Sequence, residues 1–162
     1  YPSYEFDKTL SESKYGKLKI KIENMLMRLP ERLWVIARLP MVYGKNCPRI
    51  KELRSSIANK QPYEVFPDLV MNVTHIDMLC RQLHYIINRK KKGIYHLGST
   101  DLVHHDEFVR ELAAQHQPKK VVYKNVYTSN FDRYLAVLPK HNKLPEHLQL
   151  THLQVVENCL LK

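Results

Sequence analysis

Helix-forming segments alternate along this chain with short apolar runs, and that alternation is the pattern that most limits its fold. Residues 15–29 space their apolar side chains three and four apart with lysines between them, which predicts an amphipathic helix ended by Pro30. Residues 33–37 then form a short apolar run, typical of a strand that is buried on both faces. A helix followed by a buried strand predicts an α/β fold with a parallel sheet.

The same alternation continues further along the chain. Further helices are predicted over residues 50–59, 75–88 and 106–114. Strands are predicted over residues 63–66, 94–97 and 121–123. We expect a loop over residues 39–46, an irregular segment over residues 127–145, a helix C-cap at Gly93 and a final helix capped by Thr151.

The charge of the chain narrows the class of partner. With 26 Lys+Arg against 16 Asp+Glu the formal charge is +10, which favours nucleic acid, an acidic membrane surface or a phosphorylated small molecule. The lysines are not interleaved with aromatic residues on one surface, so we expect no nucleic-acid partner. The charge alone does not choose between a membrane surface and a phosphorylated small molecule.

Cysteine and histidine spacing gives no sign of a disulfide framework or a metal site. Cys47, Cys80 and Cys159 are far apart and odd in number, and the adjacent pair His104 and His105 lacks the spacing of metal ligands. No apolar run approaches the roughly 20 residues that span a bilayer. We therefore expect a cytoplasmic protein with neither a metal ion nor a membrane partner.

Tyr15 and Lys19 are the clearest candidates for catalytic residues. They stand four residues apart at the start of a predicted helix, which places both side chains on one face. An ammonium group beside a phenol favours the phenolate, so such a tyrosine can exchange a proton near neutral pH, as carbonyl reduction requires. Because the chain holds 10 tyrosines and many lysines, the pair alone would also arise by chance, and its context has to carry the interpretation.

Four sequence blocks, in order, supply that context. YGKLKIKIE at residues 15–23 resembles the YGxSKxxGE signature of extended short-chain dehydrogenases/reductases, and VIARLPMVYG at residues 35–44 resembles their strand ending in Arg with its VYG loop. MNVTHIDML at residues 71–79 resembles the N-x-T-x-V-x-D-L segment, and GIYHLG at residues 93–98 resembles the GIYHLSG strand. The likeness is greatest to the dTDP-4-dehydrorhamnose reductase-like family, of the NAD-dependent epimerase/dehydratase type.

The resemblance implies a role for each matched position. Tyr15 would be the catalytic acid, and Lys19 would hold the nicotinamide ribose of the cofactor, NADP or NAD. Further cofactor-binding positions are implied at Leu39, Pro40, Met41 and Val42. Binding of a nucleotide-sugar substrate is implied at Asn72, Thr74 and His75. A homodimer through the helix at residues 15–29 is also implied, although a helix facing its own core would explain the apolar face equally well.

Some expected family features are absent from the sequence. Leu18 stands where the family usually has Ser or Thr, and Ile22 where it usually has Gly. No GxxGxxG turn is present, and the chain has only 4 glycines. We therefore expect the C-terminal part of a Rossmann-type parallel sheet with a small α/β substrate-binding domain, without the N-terminal cofactor-binding half and inactive alone.

The expected domains are the end of the Rossmann-type domain at residues 1–48 and a substrate-binding region at residues 49–162, interleaved with the last Rossmann elements. The expected function is NAD(P)-dependent reduction of a nucleotide-activated keto sugar. Two alternatives stay open at this point: a nucleotide-sugar epimerase or dehydratase of the same superfamily, and a non-catalytic regulatory or binding subunit that kept the fold.

Overall fold

A computed structural model of the chain describes residues 1–116 and 121–160. Within these residues there are five helices: α1 (Lys14–Leu26), α2 (Pro48–Asn59), α3 (Ile76–Asn88), α4 (His105–His116) and α5 (His152–Leu160). The same residues form nine short strands: β1 (Val35–Arg38), β2 (Met41–Tyr43), β3 (Tyr63–Val65), β4 (Leu69–Met71), β5 (Val73–His75), β6 (Gly93–His96), β7 (Val103–His104), β8 (Tyr123–Asn125) and β9 (Arg133–Leu135). Short 3-10 turns occupy Glu31–Leu33 and Glu146–Leu148.

The strands pair mostly in parallel, and helices connect the paired strands. β1 pairs with β6, β2 with β5, β3 with β8 and β4 with β9, all parallel, whereas β7 joins β4 antiparallel. Parallel partners need long crossover connections. In the chain, α2 lies between β2 and its partner β5, and both α2 and α3 lie between β1 and its partner β6. The predicted α/β class with a parallel sheet is confirmed. The β1–β6 and β2–β5 pairs both join residues 1–48 to residues 49–162, and the division at residue 48 stays a prediction.

Two clusters of buried apolar side chains form the core. The larger lies where α4 and α5 pack beside β2, β3 and β5, and its fully buried members include Ile50, Val65, Phe108, Leu112 and Val155. The smaller lies beneath α3 and includes Leu79, Ile86, Tyr95, Leu97 and Leu148. Tyr43 of β2 belongs to the larger cluster and Val42 packs against the smaller one, so β2 lies between the two clusters.

Helix α1 is the least enclosed of the five helices in the described part of the chain. It begins after Ser13, whose hydroxyl accepts a hydrogen bond from the Gly16 backbone N–H at 3.0 Å, the usual N-cap contact. None of its side chains is buried, and its apolar residues stay exposed, with Leu18 at 56%, Ile22 at 42% and Met25 at 58%. Inside this chain, the apolar face does not cover a core.

Several local predictions require correction. Residues 39–46, predicted as a loop, contain β2, and residues 127–145, predicted as irregular, contain β9. Both strands have only three residues, too few for an alternating pattern to stand out, and they are specified by distant partners. Gly93 is the first residue of β6 instead of a helix cap, with a φ of 88° that favours glycine. The predicted cap at Thr151 is confirmed, since its hydroxyl accepts from the Gln154 N–H at 3.4 Å.

No helix within the described ranges is both long enough and apolar enough to cross a membrane.

Candidate functional site

Tyr15 and Lys19 lie one helical turn apart on α1 and both face solvent. The Tyr15 side chain is 74% exposed, so its hydroxyl is open to a ligand. Lys19 lines an open cavity of about 500 Å³, to which Gly16, Glu23 and Arg38 also contribute, and which we call the Lys19 cavity. The structure therefore presents the predicted proton donor and its lysine partner on an accessible face beside a cavity.

Arg38, at the end of β1, joins α1 to the sheet. Its Nη2 lies 2.7 Å from Glu23 Oε2, and its Nε donates to both Glu23 carboxylate oxygens at 3.1 and 3.2 Å. The two side chains are only 13% and 16% exposed, so the ion pair is largely withdrawn from water. A bidentate arginine–carboxylate pair of this kind fixes orientation as well as distance.

Glu5 is a second carboxylate that the sequence analysis did not single out. Its side chain is fully buried and accepts hydrogen bonds from the consecutive backbone N–H groups of Lys140, His141 and Asn142 at 3.1–3.2 Å. Burial raises the pKa of the Glu5 carboxyl, and the backbone N–H groups more than reverse this, leaving the pKa below its ordinary value. The charged carboxylate thereby fixes the 140–142 turn. In the sequence, Glu5 sits in a polar opening segment and gives no signal of burial.

The pairing of β2 with β5 brings two predicted sets of residues together. Val42 lies opposite Thr74, and Tyr43 lies opposite His75. Val42 and His75 also line one open cavity of about 520 Å³, which we call the His75 cavity. The implied cofactor positions on β2 and the implied substrate positions on β5 are therefore neighbours in this fold.

Thr74 and His75 differ in how their polar atoms are used. The Thr74 side chain is fully buried, and its hydroxyl finds no hydrogen-bond partner within the described residues. His75 caps α3, because its Nδ1 accepts from the Asp77 backbone N–H at 3.3 Å. Burial lowers the pKa of His75 and outweighs the opposing effect of the Asp77 carboxylate. A neutral His75 keeps this cap intact.

Asn72 is fully buried, and its side-chain amide binds two separate backbone segments, at Ser99 and at Val137. Its Nδ2 donates to the carbonyl oxygens of Val137 at 2.9 Å and Ser99 at 3.2 Å, and its Oδ1 accepts from the Val137 N–H at 3.0 Å. The amide group is thus engaged by the protein itself in this structure. The implied contact of Asn72 with a substrate stays a prediction.

Leu39 and Pro40 occupy the turn between β1 and β2. Leu39 is 45% exposed, whereas Pro40 packs on Gly98, where an added Cβ would come within 2.7 Å of Pro40 Cγ and also strike the Asn72 amide. The two cavities share no lining residue among those described, and this turn separates β1, beside the Lys19 cavity, from β2, beside the His75 cavity. The predicted site residues therefore form two groups joined through Leu39 and Pro40. The sequence analysis did not predict Glu5, Arg38 and Gly98 as site residues. Arg38 lines the Lys19 cavity, Glu5 binds the 140–142 turn, and Gly98 packs against Pro40 and Asn72.

No group of three or more His, Cys, Asp or Glu side chains that could hold a metal ion occurs among the described residues.

Comparison with known proteins gives one family match, and the match extends over nearly the whole chain. The sequence profile described as RmlD substrate binding domain matches residues 2–156. No curated protein sequence matches the chain significantly.

Solved structures share the fold at low sequence identity. The dTDP-4-dehydrorhamnose reductase from Yersinia enterocolitica superposes with a TM-score of 0.80 at 15% identity, covering 98% of this chain and 61% of that one. The dTDP-4-dehydrorhamnose reductase from Bacillus anthracis in complex with NADP gives a TM-score of 0.76 at 22% identity, covering 95% and 56%. The UDP-glucuronic acid 4-epimerase from Bacillus cereus in complex with NAD gives 0.65 at 14% identity, covering 99% and 57%.

The chain thus spans 56–61% of the length of these three structures, and at such identities the likeness shows the fold alone. That fold is a Rossmann-like α/β fold, as the sequence resemblance implied. The profile match over residues 2–156 shows more: this chain belongs to the family of RmlD substrate binding domains, the substrate-binding part of dTDP-4-dehydrorhamnose reductase-like proteins.

Proposed function

We propose that this chain is the nucleotide-sugar-binding part of an NAD(P)-dependent reductase that acts on a nucleotide-activated keto sugar. The observation that carries the proposal is the exposed pair Tyr15 and Lys19 on one face of α1, beside a cavity, in a chain of this family. Turnover also needs a dinucleotide-binding part, and the chain has no glycine-rich phosphate-binding turn. The chain alone is therefore proposed to bind substrate without turning it over.

The proton donor and the contacts with the nicotinamide are proposed to come from α1 and from the turn after β1. The Tyr15 hydroxyl donates a proton to the keto oxygen of the sugar as that oxygen gains negative charge, and Lys19 supports the phenolate that is left. Lys19 would also hold the ribose next to the nicotinamide, and exposed Leu39 with Pro40 would offer an apolar wall for the ring. Bound NADH or NADPH would supply the hydride.

The substrate side of the proposal rests on the His75 cavity. Its volume of about 520 Å³ suits a nucleotide-sized group, and Lys45 adds a cation at its edge for a diphosphate. The unpartnered Thr74 hydroxyl lies on the strand that bears His75, and a buried hydroxyl of this kind calls for a partner from water or a ligand. The formal charge of +10 favours the approach of such an anion.

Replacing Tyr15 by Phe tests the assignment directly in a protein that includes the dinucleotide-binding part. Loss of a positioned proton donor typically costs 10²–10⁴-fold in rate, so we expect kcat to fall by roughly that factor while nucleotide-sugar binding is kept. Tyr127→Phe is the matched control, because Tyr127 is 75% exposed against 74% for Tyr15 and does not lie on α1. Unchanged turnover in Tyr15→Phe would contradict the proposal.

Two other functions remain distinguishable by the same assay. The fold is shared with a UDP-glucuronic acid 4-epimerase, and an epimerase would convert the sugar with no net consumption of NADH or NADPH. A regulatory subunit would bind the nucleotide sugar and lose nothing on Tyr15→Phe. Leu18 and Ile22, the two departures from the family signature, both lie exposed on α1.

A further inference from the structure

The attachment of α1 to the body of the chain depends on few contacts. No side chain of α1 is buried, and the helix makes its strongest polar contact through Glu23. That contact is the bidentate pair with Arg38 on β1, at 2.7 Å and 3.1–3.2 Å. Since a helix without buried apolar residues gains little from packing, a charge pair largely shielded from water can decide how it is oriented.

Arg38 is itself held by two further acceptors. Its Nη1 donates to the backbone carbonyl oxygen of Glu5 at 3.1 Å and lies 3.3 Å from Nε2 of His96. The three groups reach Arg38 from α1, from the N-terminal segment and from β6. The guanidinium therefore lies at the junction of three separate parts of the chain.

The neighbours of His96 fix its protonation state. Its Nδ1 lies 3.1 Å from the Leu138 carbonyl oxygen, which can only accept, so Nδ1 carries the proton. Its Nε2 faces the Arg38 guanidinium, which can only donate, so Nε2 must be unprotonated. His96 is thus neutral whenever this arrangement is intact.

Charged groups surround this histidine on several elements. Arg38 faces it from β1, Glu23 from α1 and Glu5 from the N-terminal segment, while Lys143 lines the small cavity that His96 also lines. Burial lowers the pKa of His96, and the nearby Arg38 adds to this, whereas the Leu138 carbonyl, Glu5 and Glu23 oppose it. A second proton would remove the acceptor from Arg38 and place two cations 3.3 Å apart.

We propose that Arg38 is a positioning residue that sets α1, and with it Tyr15 and Lys19, and that neutral His96 keeps Arg38 in place. The consequence for Tyr15 and Lys19 rests on the proposed function. The mechanical link itself does not, because it involves only contacts within this chain. Acidification that protonates His96 loosens the link and frees α1 from β1.

Amide hydrogen exchange of the full chain tests the link without any sugar or cofactor. We compare wild type with Arg38→Met, which keeps much of the side-chain length and removes the charge, at about pH 7.5, where His96 is neutral. We expect the amides of α1 to exchange about tenfold faster in Arg38→Met while those of α4 and α5 are unchanged. Arg110→Met is the matched control, since Arg110 pairs with Asp106 at 3.5 Å on α4, away from α1.

The histidine is tested by titrating exchange from about pH 7.5 to about pH 4.5, with rates corrected for the intrinsic effect of pH on exchange. In wild type the amides of α1 should lose protection at least about threefold more than those of α4. His96→Gln offers an uncharged acceptor to Arg38 and cannot titrate, so its α1 protection should not change with pH. His84→Gln, at an exposed histidine on α3, is the control and should behave like wild type.

The fluorescence of Trp34, the one tryptophan in the chain, gives a second readout. Its indole N–H donates to the Leu29 carbonyl oxygen at 3.1 Å, between the end of α1 and the start of β1. Its emission should shift on Arg38→Met and on acidification of wild type, and should stay constant with pH in His96→Gln.

Unchanged α1 exchange in a folded Arg38→Met variant overturns the proposal. If that variant does not fold, the titration decides: equal pH dependence in wild type and His96→Gln overturns it. Failure of the chain to bind any nucleotide sugar would count against the proposed function and would leave the exchange result unaffected.

Discussion

Gly98 lies where β6 ends and the chain passes between Pro40 and Asn72. Both neighbours are rigid, because the ring of Pro40 cannot turn aside and the Asn72 amide is fixed by its three hydrogen bonds to backbone groups. A methyl group at position 98 would press on both at once. The residue therefore fixes the distance between the turn after β1 and the strand that carries Thr74 and His75.

Gly98→Ala should accordingly destabilise the chain by about 2 kcal/mol or more, since overpacking at a rigid site is costly. Urea unfolding followed by circular dichroism measures the change. Gly44→Ala is the comparison, because its added Cβ would meet one side chain instead of two, with the Ile76 Cγ2 methyl group at 2.9 Å, and we expect a smaller loss there. Equal losses in the two variants would contradict the role given to Pro40 and Asn72.

His105 makes the stability of the chain depend on pH. Its Nδ1 accepts from the Phe66 backbone N–H at 3.2 Å, and burial lowers the pKa of His105 to about 4. On acidification, His105 takes up a proton near pH 6.5 in the unfolded chain but only near pH 4 in the folded chain. The free energy of unfolding therefore decreases as the pH is lowered from about 6.5 to about 4. His75 and His96, whose pKa values burial also lowers, act in the same direction.

Wild type should lose stability between about pH 7 and about pH 4, and replacing His105 by Gln should make this loss in the free energy of unfolding smaller by about 2 kcal/mol. Urea unfolding at several pH values within the window gives the slope for wild type and variant. A variant curve parallel to that of wild type would show that His105 does not carry the effect.

Among single residues, the sequence identified those that belong to a family motif and missed those whose role depends on burial by distant parts of the chain. Tyr15 and Lys19 were singled out by their spacing, and the structure places both on one accessible face. Glu5 could not have been found in this way, because a glutamate in a polar segment looks solvent-exposed until a distant turn supplies three N–H groups. Arg38 was visible as a charge ending an apolar strand, but its partners lie 15 to 58 residues away.

At the scale of elements, α1 is the helix with the most to gain from a partner. Leu18, Ile22 and Met25 present a continuous apolar stripe, since they follow each other at helical spacing and all remain exposed. A stripe of this kind on an otherwise charged helix is typical of an interaction surface. We expect two copies of the chain to pair through it, as the family resemblance implied.

Ile22→Lys tests that expectation by placing a charge in the middle of the stripe. Sedimentation velocity should show a dimer for wild type and a monomer for the variant, because an unpaired charge is costly in an apolar interface. Ile87→Lys is the matched control, as Ile87 is 68% exposed on α3 and should leave the dimer intact. A monomeric wild-type chain would contradict the expectation.

Strands β1, β3 and β6 overlap the strands predicted from the sequence, whereas β2, β5 and β9 were not predicted, and the reason is physical. Long helices such as α3 show their apolar spacing within the sequence and were predicted to within one residue of their ends. Strands β2, β5 and β9 have three residues each, and their pairing is set by partners 32 to 64 residues away. The juxtaposition of Val42 with Thr74, which organises the candidate site, depends on this pairing and so could not be read from local pattern.

At the scale of the whole molecule, we propose that the two cavities and the turn between them form the substrate side of the reductase site. The chain spans 61% of the Yersinia enterocolitica reductase that shares its fold, and no glycine-rich turn for a dinucleotide is present in its sequence. The family match and the His75 cavity support binding of the nucleotide sugar by this chain. The chain has 26 basic and 16 acidic side chains, and this excess of positive charge suits a diphosphate ligand.

Calorimetric titration of the chain with a dTDP-sugar and a UDP-sugar tests the central claim most directly. We predict saturable binding of at least one of them, with one site per chain and an affinity that weakens in Lys45→Ala, whose side chain lines the His75 cavity, and not in the control Lys124→Ala, whose lysine pairs with Glu64 elsewhere. Absence of binding to either sugar, or equal binding by both variants, would contradict the account.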